Sequence, residues 1–345
     1  MDATLAVTLI GIVLVLAFDV TNGFHDASNM LSTLVATRAM TPAHAVAIVG
    51  IFTLLGPLIG GTAVANTIAS VVDLGDLPRR SSLGIVAAGV GAAIGWNLLT
   101  WWRGLPSSSS HALIGGLAGA AVAGPGAHDV VWGFGALAHG ELTGVAKVLF
   151  ALLISPLLGF AVAFALQRTM RFLLRAAHPS VDVGLRRAQW LTAAGLAFSH
   201  GTNDAQKGMG IIALLLLLGG FLPAFSVPIW VMVASALCIT AGTMLGGWRI
   251  VRTMGFRIYR LRPLHGLDVQ LASIAVILTA SALGGPVSTT HLVGSSIMGV
   301  GAAERPRAVH WGKAEEIALA WLVTLPGAAA LGYGGCFAFA WLSRL

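Results

Sequence analysis

The chain has 345 residues, 57% of them hydrophobic and 10% charged, and a formal net charge of +7. An ordinary soluble domain carries about 25% charged residues, and 20 Lys+Arg with 13 Asp+Glu cannot clothe a 35.4 kDa globule, while a mean hydropathy of +0.86 excludes disorder. Two lone cysteines, Cys238 and Cys336, exclude a disulfide scaffold, which leaves a polytopic membrane protein of helical spans.

A helix needs about 20 apolar residues to cross the hydrocarbon. In chain order the apolar tracts are 3–36, 43–72, 82–102, 107–124, 142–167, 188–218, 226–247, 268–285, 286–303 and 314–343, or ten crossing-equivalents. They are long and rich in Ala, Leu and Gly, not the ten-residue alternating strands of a membrane barrel. The first tract has no basic residue before it and no small-residue cleavage site, so it reads as retained, not as a signal peptide.

Arginines gather between spans, at Arg168, Arg171, Arg175, Arg186 and Arg187 and again at Arg249, Arg252, Arg257, Arg260 and Arg262. The positive-inside rule makes 168–187 and 249–262 cytoplasmic loops of a plasma (inner) membrane protein, with both termini outside. Arg79 and Arg80, on a stretch placed outside, are a mild exception offset by Asp73 and Asp76. This distribution argues for contact with membrane lipid and against nucleic acid.

Two motifs recur. N-G-F-H-D-A-S-N at 22–29 is answered by H-G-T-N-D-A-Q-K at 200–207, an offset of 178, and P-S-S-S-S-H at 106–111 by P-V-S-T-T-H at 286–291, an offset of 180. The expected organisation is a first repeat over 1–170, a basic cytoplasmic linker over 171–187 and a second repeat over 188–345. Five crossings separate the two starts, so the repeats have opposite orientation. The fold class is therefore all-α and polytopic, with inverted-topology repeats, discontinuous helices and Ser/Thr-rich re-entrant or half-helix loops. Transporters are built this way, with the binding site near the midplane.

The first motif pair puts Asp26 and Asp204 in apolar spans, with Asp19 nearer a span end. An intramembrane carboxylate costs at least ~2.5 kcal/mol, which makes each a functional candidate. Asn22, His25, Ser28 and Asn29, and Thr202, Asn203 and Gln206, surround them, and Gly23, Gly201 and Gly208 are expected to break the helices and turn carbonyls inward. Hard oxygen donors suit a small cation, and a carboxylate suits a proton. Lys207 pairs with Asp204 or offsets an anion's charge; snorkelling is the plain alternative.

In the second pair, Pro106 and Pro286 stop one helix, and Ser or Thr caps the next. A helix N-terminus bearing the hydroxyls of Ser108, Ser109 and Ser110, or of Ser288, Thr289 and Thr290, is an anion site. His111 and His291 either orient a hydroxyl or are structural. His200 and Asp204, four apart, are ligands by type. Yet no H-E-x-x-H, C-x-x-C or G-x-S-x-G occurs, and an intramembrane enzyme is disfavoured.

At these residues the chain resembles the inorganic phosphate transporter family, also called PiT. D-x-x-N-G-F-H-D-A-S-N at 19–29 is similar to its bacterial N-terminal signature, and S-H-G-T-N-D-A-Q-K-G-M-G at 199–210 to its C-terminal one; the paired hydroxyl loops match as well. His25 stands where the family often has Asn, and Ser28 where Ala is common. The resemblance implies a homodimeric symporter that carries inorganic phosphate with H+ or Na+ by alternating access, needs no other cofactor and is not an enzyme. By position, phosphate would meet Ser108 to Ser110, Ser288 to Thr290, Lys207, Asn22 and Asn203. The coupling cation or proton would meet Asp26, Asp204, Asn29, His25 and Gln206, and Na+ would sit at Asp26, Asn29, Asn203 and Asp204. Sulfate or a metal–phosphate complex is the alternative cargo, and an anion channel the alternative mode.

Overall fold

Proline and glycine punctuate a chain that is otherwise helical. The computed structural model describes residues 3–124 and 130–342; Asp2, Ala127 on the expected outer stretch and the last three residues lie outside them. The helices are α1 (Ala3–Ala36), α2 (Pro42–Ile59), α3 (Ala63–Ala69), α4 (Arg79–Arg103), α5 (Ser109–Ala123), α6 (Phe134–Leu137), α7 (Gly144–Leu173), α8 (Val181–Leu218), α9 (Ile229–Leu245), α10 (Trp248–Phe256), α11 (Pro263–Ala282), α12 (Thr289–Glu304) and α13 (Trp311–Leu342). Apart from the four-residue α6, the order of long, short and half-length helices from α1 to α7 recurs from α8 to α13.

Six of the described helices are long and apolar enough to cross a membrane, or seven if α9 and α10 form one span bent by 67°. The count falls short of ten for physical reasons. The polar motif of α8 dilutes its apolar run. Helices α5 and α12, with 15 and 16 residues, reach only about 22–24 Å at 1.5 Å per residue, less than the roughly 30 Å of hydrocarbon.

Two expectations are corrected here. Helices α1 and α8 run unbroken through the first motifs. Their glycines serve close packing: a Cβ on Gly23 would fall 2.2 Å from Ile239 O, and one on Gly201 2.4 Å from Thr53 O. Reciprocally, Gly242 abuts Val20 O and Gly56 abuts Phe198 O. Small residues at such crossings let membrane helices approach to backbone contact. The second correction concerns the basic segments. Helix α7 continues to Leu173 and α8 starts at Val181, so most of 171–187 is helix end, and Arg249 and Arg252 lie on α10.

The real discontinuities sit before the hydroxyl motifs. Helix α4 ends at Gly104 (φ +66°) and α11 is followed by Gly284 (φ +68°), a left-handed conformation that glycine adopts without steric cost. Pro106 and Pro286 follow. Ser108 Oγ then accepts the His111 N–H at 3.2 Å, and Ser288 Oγ the His291 N–H at 3.3 Å, to start α5 and α12.

Packing crosses the midpoint of the chain. Helix α1 lies on α9, and α8 on α2; α5 beds on α13, and α12 on α7. Helices α1 and α8 run antiparallel, with Gly11 against Leu215, Asp19 against Gly208, and Thr8 against Gly219. The buried starts of α5 and α12 meet the middles of α1 and α8.

Candidate functional site: carboxylates and hydroxyls at the half-helix starts

The four motifs converge. Asp26 on α1 and Asp204 on α8 are both buried, and Thr289, in the first turn of α12, reaches both: its Oγ1 lies 3.4 Å from Asp26 Oδ2 and 3.2 Å from Asp204 Oδ2. Thr290 Oγ1 donates to Asp26 Oδ1 at 2.8 Å. From α5, Ser109 Oγ lies 2.5 Å from Asn22 Oδ1 and 3.0 Å from Asp26 Oδ2. Each hydroxyl has one proton, so Ser109 and Thr289 share theirs between two acceptors. Asn29 Nδ2 donates to Thr289 and Thr290 at 3.2 and 3.0 Å.

The two carboxylates differ in their other partners. His25 Nδ1 lies 3.2 Å from Asp26 Oδ1, and its Nε2 3.2 Å from Thr100 Oγ1. Asp204 is 2.6 Å from Lys207 Nζ and 3.2 Å from His200 Nδ1. A buried ammonium needs such a partner, because a charge removed from water unpaired costs several kcal/mol. Ligand atoms of Asp26, His200 and Asp204 all lie within 4.8 Å of one another, a spacing that suits a small cation. Asn22 Nδ2 and Asn29 Oδ1 are buried without a partner beside them.

Other expected residues do different work. Asn203 Nδ2 donates to Ser281 Oγ at 2.9 Å and to Gly285 O at 3.2 Å, which fastens α8 to the end of α11 and the turn before Pro286. Gln206 accepts the Val64 and Ala65 N–H groups at 2.8 and 3.3 Å and donates to Thr202 O, so it caps α3 and stands apart from the carboxylate pair. Ser108 and Ser288 are occupied as caps. Ser110 Oγ donates to Val287 O at 3.2 Å, tying one hydroxyl loop to the other.

Two features escaped the sequence. Thr100 sits 75 positions from its partner His25 and belongs to no motif. The rings of His111 and His291 stack at 4.6 Å, and His291 stacks on Trp321 of α13 at 4.1 Å. The matching positions in the two motifs were the only available hint of that pairing.

Known proteins bear on this arrangement. The profile of the phosphate transporter family matches residues 22–332. A probable low-affinity inorganic phosphate transporter of Bacillus subtilis (strain 168) is 40% identical over 96% of this chain and 97% of its own length. One of the same description from Rhizobium meliloti (strain 1021) is 42% identical over 95% and 96%. A solved structure titled "The sodium-dependent phosphate transporter" superposes with a TM-score of 0.84 over 96% of this chain and 98% of that one, at 22% identity, so it shows the fold. A multi-pass helical chain with its motifs gathered at two half-helix starts, matched over nearly its whole length, belongs to the phosphate transporter family.

Proposed function

We propose that this chain carries inorganic phosphate across the plasma membrane by symport with H+ or Na+, through alternating access at a site between two inverted repeats. One observation carries the reading: Thr289 bridges Asp26 and Asp204 at the start of α12. The hydroxyls suited to an oxyanion are thereby engaged by the carboxylates suited to a cation. With the carboxylates bare, a phosphate would face two negative groups and few free donors. A cation between Asp26 and Asp204 neutralises them and releases Ser109, Thr289 and Thr290 toward the anion. Binding then runs cation first, phosphate second, which is the logic of coupling by differential affinity.

The repeats extend over 1–170 and 188–345. The antiparallel course of α1 and α8, equivalent helices of the two halves, supports their inversion. The termini face outward, the arginine clusters inward, and the working unit is a homodimer. Cysteines at Ala176 and Ala127 should label from opposite faces; labelling from the same face removes the inversion.

The deciding experiment is radiolabelled phosphate uptake into proteoliposomes with Na+ and pH gradients imposed separately. Concentrative uptake driven by either gradient is expected. Simple equilibration, indifferent to both, means an anion channel. Competition by sulfate, or a requirement for a divalent metal, would rename the cargo.

A further inference from the structure

Asp19 plays no part in the site above, yet, like Asp268 on α11, it is a buried acid whose carboxylate oxygens have no hydrogen-bond partner. It lies on α1, seven residues before Asp26, or about 10 Å along the helix. Its side chain is 0% exposed and neither carboxylate oxygen has a hydrogen-bond partner. It is pressed against α8, where a Cβ on Gly208 would fall 2.1 Å from Asp19 Oδ1. The nearest buried ammonium, on Lys207, is engaged with Asp204. The polar and titratable groups around it are Ser235 and Cys238 of α9 and Lys207 and Asp204 of α8. The Ser235 hydroxyl, too, is buried without a partner.

An ionised carboxylate in this setting has little to set against its lost hydration, only one serine hydroxyl nearby and an ammonium already paired with Asp204. A metal cation does not provide it, since Na+ needs several oxygen donors, and the wall here is Gly208 with one serine and a thiol. A proton needs none of these, and it leaves a neutral acid whose O–H has Ser235 at hand. The cleft that would exchange this proton lies further along α8. On α8, Leu214 and Leu218 line a cleft of about 740 Å³ that also holds Asp73 and Arg79. Leu214 is six residues beyond Gly208, about 9 Å, and Asp204 lies four residues on the other side.

We propose that Asp19 is a proton-binding site distinct from the Asp26–Asp204 pair, placed between the Asp73–Arg79 cleft and that pair, and that it takes up and releases a proton in each transport cycle. The cycle rests on the phosphate symport argued above; the bound proton does not.

The test counts protons. Proteoliposomes carrying a trapped pH dye report protons moved per radiolabelled phosphate. D19N should still take up phosphate, with one proton fewer per phosphate than wild type and a flatter dependence of half-saturation on external pH; D19E should retain both. An unchanged proton count in D19N overturns the proposal. Should D19N fail to assemble, infrared spectra of wild type and D19E decide. A protonated-carboxyl stretch that shifts between Asp and Glu and fades as pH is raised is expected; its absence from both proteins overturns the assignment. Wild type that moves no phosphate would sink the proposed function, while the infrared band would still report on Asp19.

Discussion

Asp26 and Asp204 occupy matching places in the two halves, but their neighbourhoods are unlike. Asp26 is held by neutral groups, the hydroxyls of Ser109, Thr289 and Thr290 with the His25 imidazole beside it. Asp204 is held by the side-chain amine of Lys207 at 2.6 Å, where the first half has Asn29. Matching motif positions thus carry unlike charge. On this reading Asp204 is compensated within its own helix. Asp26 is the member of the pair whose charge is left for an arriving cation to meet.

The comparison breaks most sharply at the carboxylates themselves. D26N should insert normally and lose concentrative uptake altogether in proteoliposomes; near-normal accumulation would remove Asp26 from the site. D204N should lose uptake and also stability, by about 3–5 kcal/mol, because it leaves a buried ammonium unpaired. Thermal melting in detergent reads this, and D204N/K207Q should regain most of the loss without regaining transport. Equal melting of D26N and D204N would erase the proposed difference between the halves.

Hydroxyl changes come next. S109A and T289A each remove a hydrogen bond to a charged group, about 1.5–3 kcal/mol, so each should raise the half-saturation concentration for phosphate roughly tenfold or more with expression little changed. Unchanged affinity in the double variant would reduce both residues to helix-start chemistry. The smallest effect belongs to His25, whose ring lies between Asp26 and Thr100. H25N makes the first motif resemble the second, and it should weaken the pH dependence of uptake more than the maximal rate. Strict Na+ dependence at fixed pH, unaffected by the substitution, would assign coupling to Na+.

Much of this was legible in the sequence because the constraints were local. Composition set the class, the near-equal offsets tied the motifs into pairs, and Pro106 and Pro286 marked where the half-helices start. What the chain hid was long-range. Gly23 and Gly201 read as breaks, because a glycine beside a carboxylate is equally suited to a kink and to a crossing, and only the neighbouring helix decides. Gln206 looked like a ligand because its motif neighbours Asp204, yet two residues, just over half a helical turn, turn its amide away from the pair to the start of α3. The stack of His111 on His291 brings together residues 180 positions apart.

The exchange of glycine faces between the halves sets a problem of timing for synthesis. Ribosomes deliver α1 and α2 well before α9 and α8, so Gly23 and Gly56 enter the bilayer with lipid, not backbone, against them. Until the second half arrives, the first half holds two carboxylates destined for burial, Asp19 and Asp26, and two unfilled grooves. A nascent chain stopped near residue 180 therefore lacks α8 and α9, the helices that cover these glycine faces.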